Sequence, residues 1–97
     1  MQQEPKLETV PIGQIGLGYW GRNLLRNFMA LPGVALGEAC DQRPEVLSKL
    51  SHQYPALRTT ASYELLLEND GLDAVVIATE TPQHYEMAAA ALKAGKH

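Results

Sequence analysis

The chain has 97 residues, a formal net charge of −3 and 45% hydrophobic content, which allows one domain with a modest core. With 8 Lys+Arg against 11 Asp+Glu and no basic cluster, the charge pattern argues against a nucleic-acid or anionic-membrane partner. One cysteine, Cys40, excludes an internal disulfide framework. Residues 1–9 are polar and lack the apolar core of a signal peptide, and no run reaches the roughly 20 apolar residues of a membrane span, so the expected location is the cytoplasm.

After a flexible tail over 1–9, the pattern predicts a strand at Val10–Ile15, with Pro11 limiting full pairing to its later part. A helix follows over Trp20–Leu31, stopped by Pro32 and Gly33. Val34–Cys40 is a second, less hydrophobic strand. Pro44 suits the first turn of a second helix, whose apolar stripe is Val46, Leu47, Leu50 and Tyr54, with Pro55 ending it. Leu57–Thr60 is a brief third strand, and Ser62 is the expected N-cap of a short helix, Tyr63–Glu68, closing at Asn69, Asp70 and Gly71. Ala74–Ala78 is the clearest strand, an unbroken β-rich run of the kind found in parallel strands covered on both faces. Pro82 opens the last helix, with Tyr85, Ala88, Ala89 and Leu92 on one face and Gly95 as its stop. Strands alternating with helices predict an α/β fold with a parallel sheet and right-handed crossovers.

Residues 12–21 run Ile-Gly-Gln-Ile-Gly-Leu-Gly-Tyr-Trp-Gly, and Asp41 lies 20 positions after Gly21. A Gly-x-Gly-x-x-Gly between a strand and a helix, with an acid closing the next strand, is the context that marks a dinucleotide-binding fingerprint. In that reading Gly16 allows the tight turn, and Gly18 lets a pyrophosphate approach the main chain at the helix N-terminus. Gly21 shares a helical face with Leu24, Leu25, Phe28 and Leu31, where the absence of a side chain permits close packing. Gly16, Leu17, Gly18, Tyr19, Trp20, Gly21 and Asp41 are therefore the candidate cofactor-binding residues. Asp41 suits the two ribose hydroxyls and repels a 2′-phosphate, which favours NAD. Arg43 keeps NADP open, since its guanidinium could pair with that phosphate; the expectation is a solvated residue before Pro44. Thr79 and Thr81 fall at the carboxyl end of the fourth strand, beside the topological switch point where cofactors sit, and Thr81 can also cap the last helix. His52, His97 and Cys40 have no metal-ligand spacing, and no Ser/His/Asp or Cys/His arrangement is visible, so neither a metal site nor a catalytic residue is expected.

Four stretches carry a resemblance: Ile15 to Gly21, Ala39-Cys40-Asp41, Asp73 to Thr79, and Thr81-Pro82-Gln83-His84-Tyr85 with the closing Ala-Leu-Lys-Ala-Gly-Lys-His. In order and spacing they resemble the N-terminal part of the Gfo/Idh/MocA family, the glucose–fructose oxidoreductase and inositol dehydrogenase type of NAD(P)-dependent oxidoreductase. Glu80 departs from it, standing where the family often has proline. The resemblance implies a Rossmann-type doubly wound sheet, truncated here after about four strands, that binds cofactor for hydride transfer on a sugar, cyclitol or related polyol. It places Tyr19 and Trp20 beside the pyrophosphate and His84 near the cofactor, although an exposed first-turn histidine is the plainer expectation. It supplies no catalytic residue, because the family's catalytic lysine and substrate domain lie beyond His97. Lys93 and Lys96 fall instead to the last helical turn, and the 97 residues alone are expected to bind without turnover. The fourth strand would be a sheet edge open to self-association. Two other readings fit the same residues: a non-catalytic nucleotide-binding module working with a partner chain, and an S-adenosylmethionine-binding methyltransferase domain.

Overall fold

The computed structural model describes residues 9–79 and 81–97, with the side chains of all but 81–83. The flexible-tail expectation for 1–9 therefore lies almost wholly outside the described residues, as do Glu80 and the side chain of Thr81.

Eight elements alternate along the chain: β1 Val10–Ile15, α1 Tyr19–Ala30, β2 Val34–Cys40, α2 Pro44–Gln53, β3 Arg58–Thr60, α3 Tyr63–Leu67, β4 Ala74–Ile77 and α4 Thr81–Lys93. The strands form one sheet in the order β3-β2-β1-β4, every pair parallel. This is the Rossmann-type order, with the switch point between β1 and β4. Pro11 costs β1 less than its sequence position suggests, because it still pairs with Ala35 and its carbonyl accepts from Asp73 N–H at 2.8 Å. Gly37 is an extra residue in β2, since Ile12 pairs with Leu36 and Gly13 with Glu38. That bulge sets Cys40 beside Ile15 and brings Asp41 to the end of β1.

Side chains alternate across the sheet and build a core on each face. On one side Leu17, Leu25, Ala39, Leu50 and Leu57 are buried together under α1 and α2. On the other, Ile15, Cys40, Leu66, Leu67, Leu72, Met87 and Ala91 are buried under α3 and α4. The helix faces differ from the expected ones in two places. In α1 only Gly21 and Leu25 are buried; Leu24 is exposed, Phe28 half-buried, and Leu31 is the exposed C-cap. In α4, Tyr85 is 86% and Leu92 72% exposed, and Met87 and Ala91 face the sheet instead. The run of alanines from Ala88 to Ala91 gives no contrast by which the sequence could fix the phase.

Two end effects also depart from expectation. Lys96 stands beyond the helical turn assigned to it, 6% exposed, with its ammonium donating to the carbonyls of Asn69 and Leu72 at 2.7 Å each. Nor is β4 bare on its outer side: His97 N–H donates to Asp73 at 3.0 Å and its carbonyl accepts from Val75 N–H at 2.6 Å. No helix among the described residues is long and apolar enough to cross a membrane.

Candidate functional site

The carboxyl ends of β1, β2 and β4 meet at one mouth, and the glycine turn between β1 and α1 forms its floor. Gly16 has φ +101°, and a Cβ there would lie 2.6 Å from the Ala78 carbonyl oxygen. Only glycine satisfies both the left-handed backbone and that approach. Gly21 is fixed by contact alone: its Cβ would stand 2.3 Å from the Gly16 carbonyl oxygen. Helix α1 thus packs directly onto the turn that precedes it. Gly18 differs from both, because a Cβ there would meet nothing nearer than an Arg43 guanidinium nitrogen at 3.9 Å. The space over Gly18 is open, and a side chain would fill it.

Gln14 holds this turn and escapes a reading of the sequence. It is fully buried in β1, and its amide nitrogen donates to the Gly16 carbonyl at 3.0 Å and the Gly21 carbonyl at 2.6 Å. Its Oε1 is buried with no partner among the described residues. The available signal was a lone polar residue inside an otherwise apolar strand. Such a side chain is buried only when the backbone around it needs donors.

Gly18 is the N-cap of α1, and the first turn carries no acidic side chain. Its outward N–H groups and the positive end of the helix dipole therefore face the open space above Gly18. Asp41 borders the same space from the end of β2. One carboxylate oxygen accepts from Leu17 N–H at 2.9 Å and the other from Arg43 N–H at 2.9 Å. Burial alone would raise the Asp41 carboxyl. The side-chain and backbone hydrogen bonds from Arg43, the Leu17 N–H and the guanidinium charge together outweigh it and hold the group below its usual range. Arg43 is exposed, as expected of a solvated residue before Pro44, but its guanidinium is also held by Asp41. Nε and a terminal nitrogen each lie 3.0 Å from an Asp41 oxygen, closing a two-pronged ion pair.

Cys40 lies under this rim, buried, as a small core residue. Burial first, then the Asp41, Glu38 and Glu64 charges, push its thiol up to about 11. It stays protonated near neutrality and is not a nucleophile. Thr79 lines the β4 side of the groove, with its hydroxyl donating to Met87 Sδ at 3.6 Å. His84 is half-buried and not the exposed first-turn residue expected, because Nε2 donates to the Thr79 carbonyl. That bond ties the start of α4 to the end of β4. Tyr19 and Trp20 are exposed beside Gly18, their rings edge to face at 5.6 Å.

These groups enclose a groove of about 420 Å³ that runs over Gly16 and Gly18 between Asp41 and Thr79. The donor set fits a dinucleotide: an uncapped helix start beside a glycine with open space, and a carboxylate at the end of the next strand. Gly16, Leu17, Gly18, Asp41, Arg43 and Thr79 are brought together on this groove. Gly21 lies beneath it as a packing residue.

Comparison with known proteins agrees with this arrangement. Residues 10–97 match the Gfo/Idh/MocA family model, described as an oxidoreductase family with an NAD-binding Rossmann fold. A glycosyl hydrolase family 109 protein of Shewanella pealeana is 36% identical over 103 residues, which take in 96% of this chain and 22% of the relative. A protein of the same name from Bacteroides thetaiotaomicron is 35% identical over 102 residues, with the same 96% and 22% coverage. The solved structure of scyllo-inositol dehydrogenase from Lactobacillus casei, with bound NAD(H) and scyllo-inositol, superposes with a TM-score of 0.86 at 25% identity. That match covers 93% of this chain and 27% of the other. The chain thus spans about a fifth of the length of the curated relatives it matches. The family match overturns the methyltransferase alternative. On the same match, the chain belongs to the Gfo/Idh/MocA oxidoreductase family, and it is the NAD-binding Rossmann domain of that family.

Proposed function

We propose that residues 10–97 hold NAD for hydride transfer to or from a carbon of a sugar, cyclitol or related polyol. The observation that carries this reading is the open space over Gly18, flanked by the uncapped start of α1 and by the Asp41 carboxylate. In this reading the N–H groups of the first turn of α1 bind the pyrophosphate, and Gly18 admits it to the main chain. Asp41 accepts the adenosine ribose hydroxyls. Thr79 and the end of β4, braced by His84, border the nicotinamide side, with Thr81 beside them. Tyr19 and Trp20 shield the pyrophosphate from solvent. When bound, NAD supplies the hydride acceptor, and the chain supplies position and field.

Calorimetric titration of the purified chain with NADH, NADPH and S-adenosylmethionine tests this. Saturable NADH binding, weakened by Asp41→Ala, is the expected result. A folded chain that binds neither NADH nor NADPH overturns the reading. The 97 residues alone bind without turnover, so dehydrogenase activity on a panel of polyols would contradict that part.

The relatives' name favours a second reading, in which the same cofactor serves cleavage of a glycoside. Cofactor-dependent glycosidases exist outside the two-carboxylate scheme. Oxidation of a sugar carbon acidifies its neighbour and loosens the adjacent C–O bond. Net NADH accumulation in a protein carrying this domain supports the dehydrogenase; sugar release without net NADH supports the glycosidase.

A further inference from the structure

The Asp41 carboxylate is saturated. Two carboxylate oxygens offer about four lone-pair positions between them. Here Leu17 N–H, Arg43 N–H, Arg43 Nε–H and an Arg43 terminal N–H fill them, at 2.9, 2.9, 3.0 and 3.0 Å. A ribose diol needs two of the four. The two main-chain donors are set by the β1 turn and the start of α2 and cannot leave without remaking the fold. The two guanidinium donors belong to a side chain that is 52% exposed. Only Arg43 can yield. Its destination is on the page as well: the same side chain borders a second groove of about 510 Å³ between α1 and α2, where Arg22, Arg26 and Lys49 also stand. Four of the chain's 8 Lys+Arg thus line one groove of a molecule whose net charge is −3. A guanidinium leaving Asp41 joins three other cations there against the single carboxylate of Glu45, an excess of positive charge that an anion placed there would relieve.

We propose that Arg43 sets the choice between NAD and NADP by competing for Asp41. In the structure it occupies the two positions that the ribose diol needs. NAD binding requires it to give them up and leaves it only the Glu45 carboxylate of that groove, whereas a 2′-phosphate meets the freed guanidinium at the mouth of the basic groove. Arg43 is then a specificity residue whose removal tightens NAD binding, the reverse of what an ordinary contact residue does. The inference rests on the proposed cofactor site.

The test is titration of the wild-type chain, Arg43→Ala and Arg43→Gln with NADH and with NADPH, at low and high salt. Both variants are expected to bind NADH about fivefold more tightly than wild type, the modest factor a part-exposed ion pair is worth. NADPH is expected to weaken on both, and the wild-type preference for NADH to change with salt more than theirs. NADH binding that is unchanged or weaker in both variants overturns the competition, and NADPH binding that stays the same overturns the 2′-phosphate role. A folded wild-type chain that binds neither nucleotide overturns the cofactor site itself, which separates the two failures. Nitrogen-15 spectra give a second readout. The Arg43 Nε–H signal should be protected from exchange in the free chain and lose that protection on NADH addition; a signal exposed from the start overturns the inference.

Discussion

Gly18 and Gly21 share one motif and carry opposite physical loads. A Cβ on Gly21 would stand 2.3 Å from a backbone oxygen that cannot move without shifting β1 or α1. A Cβ on Gly18 meets open space, at a backbone with φ −68° and ψ −165° that alanine accepts. Gly18→Ala should therefore melt like the wild type and lose NADH binding. Gly21→Ala should lose about 1–3 kcal/mol of stability, the usual range for overpacking at a rigid contact. Equal melting temperatures for the two variants would show that the turn is softer than its geometry. Asp41 makes a separate prediction through pH. A carboxyl lowered in the folded state contributes stability that is present at neutral pH and lost as pH falls from its ordinary value toward the folded one. Melting temperature should drop below about pH 4, the range of an unperturbed aspartate. Asp41→Asn should show less of that drop, and identical acid profiles would mean that Asp41 is not a source of it.

At the scale of elements, punctuation was legible in the sequence and facing was not. Pro44 stands at the first position of α2, Ser62 caps α3 by accepting from Leu65 N–H at 3.3 Å, and Gly95 takes φ +78° after α4. Each acts on its own neighbours, so a local reading suffices. The glycine turn was legible for the same reason. What a local reading missed depends on contact between elements. Helical spacing groups Tyr85 and Leu92 with Ala88 and Ala89 on one face of α4, yet the register of α4 on the sheet selects Met87 and Ala91. Arg43 resembled a solvated cation because nothing in the sequence shows that the β2–α2 turn folds it back onto Asp41. Lys96 resembled a helix-end charge, although its partners are carbonyls 27 and 24 residues away. That ammonium binds the end of α3 and the start of β4 to the last turn of the chain. Lys96→Met keeps the stem and removes the donors, leaving the Asn69 and Leu72 carbonyls unmet. The expected cost is about 1–3 kcal/mol, the range for orphaned buried polar groups. Chemical denaturation measures it, and a loss below a few tenths would mean that water replaces the ammonium.

Over the whole molecule the sheet has an unequal pair of edges. β3 is short, three residues ending the β2 side, whereas β4 carries Val75, Val76 and Ile77 at the other edge. In a parallel ladder alternate residues turn their N–H and C=O to opposite sides. His97 meets the outward groups of Asp73 and Val75 N–H, and by that alternation the Val75 carbonyl and Ile77 N–H point the same way, further along the strand. A half-covered apolar edge is a template for a second strand. Beside it, α4 presents Tyr85 and Leu92 to solvent. A second copy laid antiparallel or parallel along β4 would satisfy the outward strand groups. Sedimentation velocity of the chain should therefore show mass rising with protein concentration. Val76→Lys, which places a charge on the edge strand while leaving the Met87 and Ala91 core face alone, should hold it monomeric. A wild-type chain that stays monomeric as concentration rises would mean that His97 alone closes the edge. His97→Pro, which removes the N–H donated to Asp73, would then be the change that opens it.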